Sequence, residues 1–223
     1  MKRAILCYHQ VAPVSVAGRN LNVEPARLES HVRFFQRRKY LFAYAKDITK
    51  TADRTVCFTF DDAYASTLTY GIEVLKRLKA PATFYAVPGH VGGVSAWDPG
   101  RERALADWAL LKSASDSGFE VGNHTMTHAR LPDLNQSAQA AEWTQAHATM
   151  VLEGLDPQSA CYPYGLFTDE SRSSLEAIGY RAAVSIDKWP GGDDPLRLAR
   201  IVVAYGDALP MLVYKLWVRP MLP

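Results

Sequence analysis

The stretch Val56-Cys57-Phe58-Thr59-Phe60-Asp61-Asp62 runs from five strand-forming residues directly into two adjacent acids. Its nearly continuous apolar character is typical of a strand that is covered on both faces, as in the parallel sheets of α/β proteins. An unpaired carboxylate inside such a strand would be too costly, so the acids are expected at its carboxyl end. Open α/β sheets and α/β barrels place their chemistry at this edge, although acids also favour the first turn of a following helix. The pair by itself supports both interpretations.

The rest of the chain alternates between strand-like and helix-like segments. A first strand is predicted from Arg3 to Tyr8, and apolar residues recur at helical spacing from Ser66 to Lys79 and from Gln136 to Glu153. A last strand is predicted over Arg200 to Val203. This alternation predicts an α/β fold of parallel βαβ units, wound as an open sheet or closed into a barrel.

The chain length of 223 residues suits one large domain or two small ones, and we expect a single domain over residues 1–223. In this interpretation residues 1–54 add a strand and a helix to a core at 55–204, and residues 205–223 close the domain. The apolar C-terminal stretch could lie on a membrane or a partner, but a closing helix packed on its own domain is the favoured interpretation.

Composition and cysteine content narrow the functional classes. The formal net charge of +2 provides no general basic field for nucleic acid. The three cysteines form no C-x-x-C pair, so we expect buried reduced thiols and a reducing compartment. The apolar run after Arg3 is too short for a signal-peptide core, and we expect no transmembrane segment. A cytoplasmic location is therefore predicted; a periplasmic or secreted protein with its leader removed would have the same sequence.

Two histidines four residues apart follow another predicted strand end. On a helical turn, His124 and His128 would lie on one side and could share an ion. Two histidines and one carboxylate leave coordination positions open for water and substrate, which is the pattern of a catalytic metal site. Only one acid of the pair Asp61-Asp62 is then needed as a ligand, and the other could act as a base.

Three segments in this order carry a family resemblance: Thr59-Phe60-Asp61-Asp62, His124-Thr125-Met126-Thr127-His128 and Tyr162-Pro163-Tyr164-Gly165. They resemble the first three motifs of the polysaccharide deacetylase family, the NodB-like family 4 carbohydrate esterases. The similarity extends from about Arg54 to Val203.

The resemblance implies a distorted (β/α) barrel with a divalent metal, most often Zn²⁺ with Co²⁺ or Ni²⁺ as alternatives. It implies that Asp62, His124 and His128 hold the metal and that Asp61 is the general base. It also implies that Tyr164, which follows Pro163, helps to hold the oxyanion through its backbone N–H.

Two positions depart from the family pattern. The third motif usually begins with an arginine that orients the base, but Cys161 stands there, and Arg200 is the predicted substitute. The late histidine that serves as general acid is absent, since no histidine follows His147. Some exopolysaccharide deacetylases, of the poly-N-acetylglucosamine type, begin instead with a strand followed by Tyr-His. The segment ending in Tyr8-His9 resembles that arrangement, so His9 is the predicted acid and His90 the fallback.

The predicted function is a metal-dependent hydrolase that removes N-acetyl groups from an amino-sugar glycan or its precursor and releases acetate. The alternatives are an O-acetyl esterase or small-amide amidohydrolase on the same site, and an inactive barrel that binds glycan. Aromatic residues near the strand ends could stack on sugar rings; they are Tyr64, Trp97, Tyr164 and Trp189.

Overall fold

The computed structural model describes residues 3–51, 54–186 and 194–218. Short strands, most of them followed by helical segments, make up the chain, as the sequence predicts. The strands are β1 (Arg3–Tyr8), β2 (Gln10–Val11), β3 (Asn22–Val23), β4 (Leu41–Ala43), β5 (Thr55–Phe60), β6 (Ala82–Ala86), β7 (Glu120–Asn123), β8 (Ser159–Cys161), β9 (Ala182–Ser185), β10 (Leu198–Ala199) and β11 (Ile201–Val202).

Seven α-helices lie within the described ranges: α1 (Val14–Ala17), α2 (Pro25–Arg37), α3 (Ile72–Arg77), α4 (Trp108–Asp116), α5 (Gln136–Leu152), α6 (Asp169–Ile178) and α7 (Leu209–Val213). Short 3₁₀ turns occupy Ala45–Lys50, Pro88–His90, Leu131–Asp133 and Pro163–Gly165, and π-helical turns occupy Thr67–Gly71 and Tyr214–Val218. The helix predicted from Ser66 to Lys79 thus begins with a π turn and ends at Arg77. Gly179 ends α6 in the left-handed conformation, as a C-cap glycine does.

The main sheet closes into a barrel through a single residue. Its nine strands are parallel, in the order β10-β9-β8-β7-β6-β5-β1-β11, with β4 beside β5. Strand β10 pairs with β9 and β11 pairs with β1, and only Arg200 separates β10 from β11. The last strand predicted over Arg200 to Val203 is therefore two short strands, because the chain changes partners at Arg200. The predicted distorted (β/α) barrel is confirmed.

Strand β5 is an interior strand of this sheet. It pairs with β1 along its whole length, and its other edge pairs first with β4 and then with β6. Phe58 and Phe60 face the cluster under the helices, whereas Cys57 joins the cluster inside the barrel. Because side chains alternate along a strand, the position of Asp61 continues the inward series.

The described part of the C-terminal segment packs on the outside of the barrel. Leu212 and Leu216 are buried in the helix-side core, and the ring of Trp217 lies 5.9 Å from that of Phe34 in α2. Lys215 pairs with Asp207 at 2.6 Å. Among the described helices, none combines the length and apolar character needed to cross a membrane.

Candidate active site

The predicted site residues meet at the carboxyl ends of four strands of the main sheet, β1, β5, β7 and β8. His9 follows β1, Asp61 and Asp62 follow β5, His124 follows β7, and Tyr164 follows β8. Since the strands are parallel, their carboxyl ends share one rim of the barrel. The remaining predicted ligand, His128, reaches the same place from the loop after β7.

Asp62, His124 and His128 converge with the geometry of metal ligands. Oδ1 of Asp62 lies 3.3 Å from Nε2 of His128 and 3.6 Å from Nε2 of His124. Zinc bonds of about 2.0–2.2 Å in a tetrahedron would separate neighbouring ligand atoms by roughly 3.3 Å. Oδ1 of Asp62 is buried and makes no hydrogen bond. These residues therefore fit a divalent cation.

The environment of each ligand prepares it for an ion. The Nδ1–H of His124 donates to the carbonyl oxygen of Cys161 at 2.7 Å, which leaves the Nε2 lone pair for a metal. Burial lowers the pKa of His124 to about 4 and that of His128 to about 2, so both rings are neutral at pH 7. Burial, followed by the charge of Asp61, raises the pKa of Asp62 to about 8. A bound cation would lower the pKa of Asp62 again, because a positive charge favours the carboxylate form.

The two histidines do not lie on a helical turn, and this expectation from their spacing is wrong. Residues 124–128 form a loop, in which Thr125 has φ 66° and His128 has φ 60°. The two rings still meet, with centroids 4.8 Å apart. Asp62 and Tyr164 are also left-handed, with φ 66° and φ 58°. Such backbone is costly for residues other than glycine and occurs often at functional sites.

Asp61 lies in a different setting from its neighbour. Its two carboxylate oxygens accept hydrogen bonds from Nη1 and Nη2 of Arg200 at 2.6 and 2.7 Å. Burial by itself would raise the pKa of Asp61, but the charge of Arg200 and these hydrogen bonds outweigh it and hold the pKa well below its ordinary value. The thiol of Cys7 adds a contact to Oδ2 at 3.4 Å. Asp61 is therefore a carboxylate at neutral pH.

Arg200 is held rigidly at the point where the barrel closes. Its Nη1 also donates to Oγ1 of Thr59 at 2.9 Å, and its Nε donates to the carbonyl oxygen of Ser185. Nη2 approaches the sulfur of Cys161 to 3.1 Å. The guanidinium of Arg200 thus reaches Asp61 from the junction of β10 and β11, while the thiol of Cys161 occupies the place where the resemblance expects an arginine.

The two histidines considered as the acid differ in position. Nε2 of His9 lies 4.0 Å from Oδ2 of Asp61, and the His9 side chain is 19% exposed. Burial lowers the pKa of His9 below its ordinary value. The ring of His90 instead contacts Trp97, whose own ring stacks on His128 at 4.1 Å. His90 is therefore linked to the predicted ligand His128 through the ring of Trp97.

The third segment borders the ligands through its tyrosine. Pro163 is buried and begins the turn Pro163–Gly165, and the ring of Tyr164 lies 4.7 Å from that of His128. Gly165 has φ 70°, and a Cβ there would collide with Ile186. Trp189, named with the aromatic residues, lies outside the described residues.

Several contributors were not assigned these roles from the sequence. Tyr64 lies close enough to Asp62 to lower its pKa in part, and the ring of Trp97 stacks on that of His128, so both contact residues that are predicted to hold a metal. Thr59 and Cys7 contact the Asp61–Arg200 pair. Strand alternation could have indicated Cys7 and Thr59. They are paired neighbours, and they precede His9 and Asp61 by two residues, so they point to the same side of the sheet.

The chain is similar in sequence to known proteins. A family model described as polysaccharide deacetylase matches residues 48–183. The poly-β-1,6-N-acetyl-D-glucosamine N-deacetylase of Staphylococcus aureus (strain MRSA252) is 24% identical over 187 residues, which cover 76% of this chain and 63% of that protein. The chain thus spans about 63% of the length of this curated relative.

Solved structures share the fold. The Streptococcus pyogenes deacetylase PplD in complex with acetate superposes with a TM-score of 0.81 at 20% identity, over 100% of this chain and 99% of that chain. IcaB from Ammonifex degensii superposes with a TM-score of 0.81 at 22% identity, over 97% of this chain and 96% of that chain.

Proposed function

The chain belongs to the polysaccharide deacetylase family, and on this premise we propose that it is a metal-dependent hydrolase that removes N-acetyl groups from an amino-sugar glycan or glycan precursor. The proposal rests on two adjacent carboxylates in different surroundings. Arg200 holds Asp61 as an anion, and Asp62 lies among two neutral histidines. An inactive glycan-binding barrel would need neither arrangement. The Staphylococcus aureus relative, whose name specifies an N-deacetylase of an N-acetylglucosamine polymer, supports the amide-cleaving alternative over the ester-cleaving one.

The proposed ligands are Asp62, His124 and His128. A divalent ion, most often zinc in this family, would supply positive charge to the substrate carbonyl and lower the pKa of a bound water. The side chains of Tyr64 and Trp97 support this triad by fixing Asp62 and His128.

Asp61 is the proposed general base. It accepts a proton from the attacking water while the water oxygen bonds to the acetamide carbon. The pairing with Arg200 keeps Asp61 in the accepting form at neutral pH and fixes its orientation, at the expense of basicity. Arg200 is thus a positioning residue in this proposal. The backbone N–H of Tyr164, which follows Pro163, is the proposed donor to the oxygen that gains negative charge.

His9 is the proposed general acid. Because burial lowers the pKa of His9, in this proposal His9 takes up the proton that Asp61 removes from the water and passes it to the leaving amine when the C–N bond breaks, and acetate and a free amino sugar are released. The distance of 4.0 Å between Nε2 of His9 and Oδ2 of Asp61 puts both groups beside one reacting amide. The contact of His90 with Trp97 makes it a weaker candidate.

The cysteines are free and buried, which supports a reducing compartment for this chemistry.

The test is metal-dependent release of acetate from N-acetylglucosamine oligomers. Protein stripped of metal and reloaded with zinc or cobalt is compared with Asp61→Asn and His9→Ala, and with His147→Ala as a matched histidine control on α5. We expect release that requires metal, is lost in Asp61→Asn, falls in His9→Ala and persists in His147→Ala.

Each other result contradicts a defined part of the proposal. Full activity of His9→Ala would reject the assigned acid and redirect attention to His90. Tight metal binding without release from any N-acetylated sugar would favour the O-acetyl esterase or amidohydrolase. Absence of metal binding would favour the inactive barrel.

A further inference from the structure

A cavity of about 410 Å³ opens beside the site, and arginines dominate its charge. It lies between the segment after α1 and the loop before α4. The residues that line it include three arginines, Arg19, Arg101 and Arg103, and one acid, Asp98. The volume falls in the range of about 300–1,000 Å³ that is usual for small-molecule sites.

The cavity is continuous with the proposed catalytic residues. Tyr64 and Gln10 both line it; Tyr64 is two residues from Asp62 and influences its pKa, and Gln10 directly follows His9. Ser95, which hydrogen-bonds Tyr64, also accepts a hydrogen bond from the backbone N–H of Arg103 at 3.0 Å. A sugar whose acetamide lies between His9 and Asp62 would therefore place its neighbouring group in this cavity.

The arginines of the cavity remain available for a ligand. In the part of the chain that the structure describes, none of the three forms an ion pair with a carboxylate. Arg103 directs Nη1 to the carbonyl oxygens of Arg101 and Glu102, and Arg19 lies 5.4 Å from the ring of Tyr205. The carboxylate of Glu102 accepts a hydrogen bond from the backbone N–H of Gly100 and does not line the cavity.

We infer that this cavity binds an anionic group, a phosphate or a carboxylate, attached next to the acetamido sugar. Guanidinium groups match the planar, bidentate geometry of both anions. The hydroxyl groups of a neutral N-acetylglucosamine polymer carry no negative charge to match three arginines, and its deacetylated product, a polyamine, would be repelled by them. The inference rests on the proposed deacetylase function and names the class of substrate.

The experiment compares three acetylated substrates on the metal-loaded enzyme: di-N-acetylchitobiose, which is neutral, a disaccharide of N-acetylglucosamine and glucuronic acid, and N-acetylglucosamine 1-phosphate. Acetate release gives kcat/KM for each at low and high salt. The variant Arg19→Gln/Arg101→Gln/Arg103→Gln tests the cavity, and Arg37→Gln, an exposed arginine at the end of α2, is the matched control.

We expect at least one anionic substrate to exceed the neutral one by about tenfold or more in kcat/KM, as a charge-assisted hydrogen bond allows. This advantage is expected to shrink at high salt and to disappear in the triple variant, with the neutral substrate and Arg37→Gln unaffected. The preferred anion then identifies the source, a phosphorylated precursor or an acidic polysaccharide.

Equal turnover of neutral and anionic substrates, unchanged in the triple variant, would overturn the inference and leave the deacetylase function intact. If no substrate releases acetate, the proposed function fails, and calorimetric binding decides the inference separately. In that case, tighter binding of N-acetylglucosamine 1-phosphate than of di-N-acetylchitobiose, lost in the triple variant, would support the anion site; equal binding would reject it.

Discussion

Asp61 and Asp62 are neighbours in the chain, yet the barrel gives them opposite electrostatic surroundings. Both are almost fully buried, and burial pushes the pKa of each upward. Arg200 reverses this effect at Asp61, whereas Asp62 faces two neutral histidines and has a pKa raised to about 8. The protein thus supplies a cationic partner to Asp61, whereas Asp62 has none among the residues that the structure describes.

Because of this difference, two adjacent residues can serve as a base and as a metal ligand. The left-handed backbone at Asp62, with φ 66°, turns its side chain toward the loop of His128 instead of continuing the strand alternation. Asp61 instead follows the inward series of β5 and meets Arg200.

The largest effects are expected from the two asparagine substitutions. Asp61→Asn removes the proposed base and should lower kcat by about 10²–10⁴ while the zinc content stays unchanged. Asp62→Asn should lose both activity and zinc, because an amide is a weaker ligand than a carboxylate. Acetate release and metal analysis on the same samples check the pair. Equal loss of zinc in both variants would contradict the division of roles.

Removal of Arg200, the cationic partner of Asp61, should destabilise the fold. Arg200→Met leaves a buried carboxylate without its partner, which costs about 3–5 kcal/mol, whereas Arg200→Met combined with Asp61→Leu should recover much of that loss. Denaturant unfolding provides the measurement.

Arg181→Met is the control for this substitution, since its pair with Asp47 is about one-third exposed and is expected to contribute at most about 1 kcal/mol. A single variant Arg200→Met as stable as the unchanged protein would show that the pair does not hold Asp61 in place.

The raised pKa of Asp62 predicts an unusual pH dependence for the metal-free protein. Between the ordinary histidine pKa, about 6.5, and about 8, the folded state holds a proton on Asp62 that the unfolded state has released. Stability should therefore fall by on the order of 1–2 kcal/mol as pH rises through this window. Below it, the lowered pKa values of His124 and His128 act in the opposite sense, and stability rises with pH from about 4 to 6.5.

Thermal unfolding after chelation checks this prediction. The decline between pH 6.5 and 8 should vanish in Asp62→Asn, which cannot titrate, and should reverse when zinc is added, since zinc competes with the proton. A stability that still declines in Asp62→Asn would assign the effect to another group.

The smallest effect concerns the indole that supports His128. Trp97→Leu removes a stacked ring at 4.1 Å and should weaken zinc binding by about tenfold, in line with 0.5–1.5 kcal/mol for an aromatic pair. Trp97→Phe keeps a ring and should restore most of the affinity. Competition with a chromophoric chelator gives the affinities; unchanged zinc binding in Trp97→Leu would show that His128 needs no such support.

Much of the framework was predictable because it depends on local patterns. The strand β1 has the predicted bounds Arg3–Tyr8, the positions of Asp61, Asp62 and His124 at strand ends follow from apolar runs that stop at polar residues, and Gly179 ends α6 as expected. Parallel strands then bring these ends to one rim without further information.

Other features depended on contacts that no local pattern encodes. The spacing of His124 and His128 suggested a helical turn, but Thr125 and His128 adopt left-handed backbone in a loop, which tertiary contacts must stabilise. Arg200 was named only as a substitute for a missing arginine; its contact with a carboxylate 139 residues away exists because β10 and β11 close the barrel at that residue.

Local patterns in the sequence indicate which side chains are candidates for catalysis and at which edge of the sheet they meet. Apolar runs and strand alternation can be read locally because they depend on residues that are close in sequence. The tertiary structure places Arg200 against Asp61, leaves Asp62 without a cationic partner among the described residues, and brings three arginines to the lining of the cavity beside them. The physical reason is that charge state depends on distance and burial, which the folded chain sets between residues far apart in sequence.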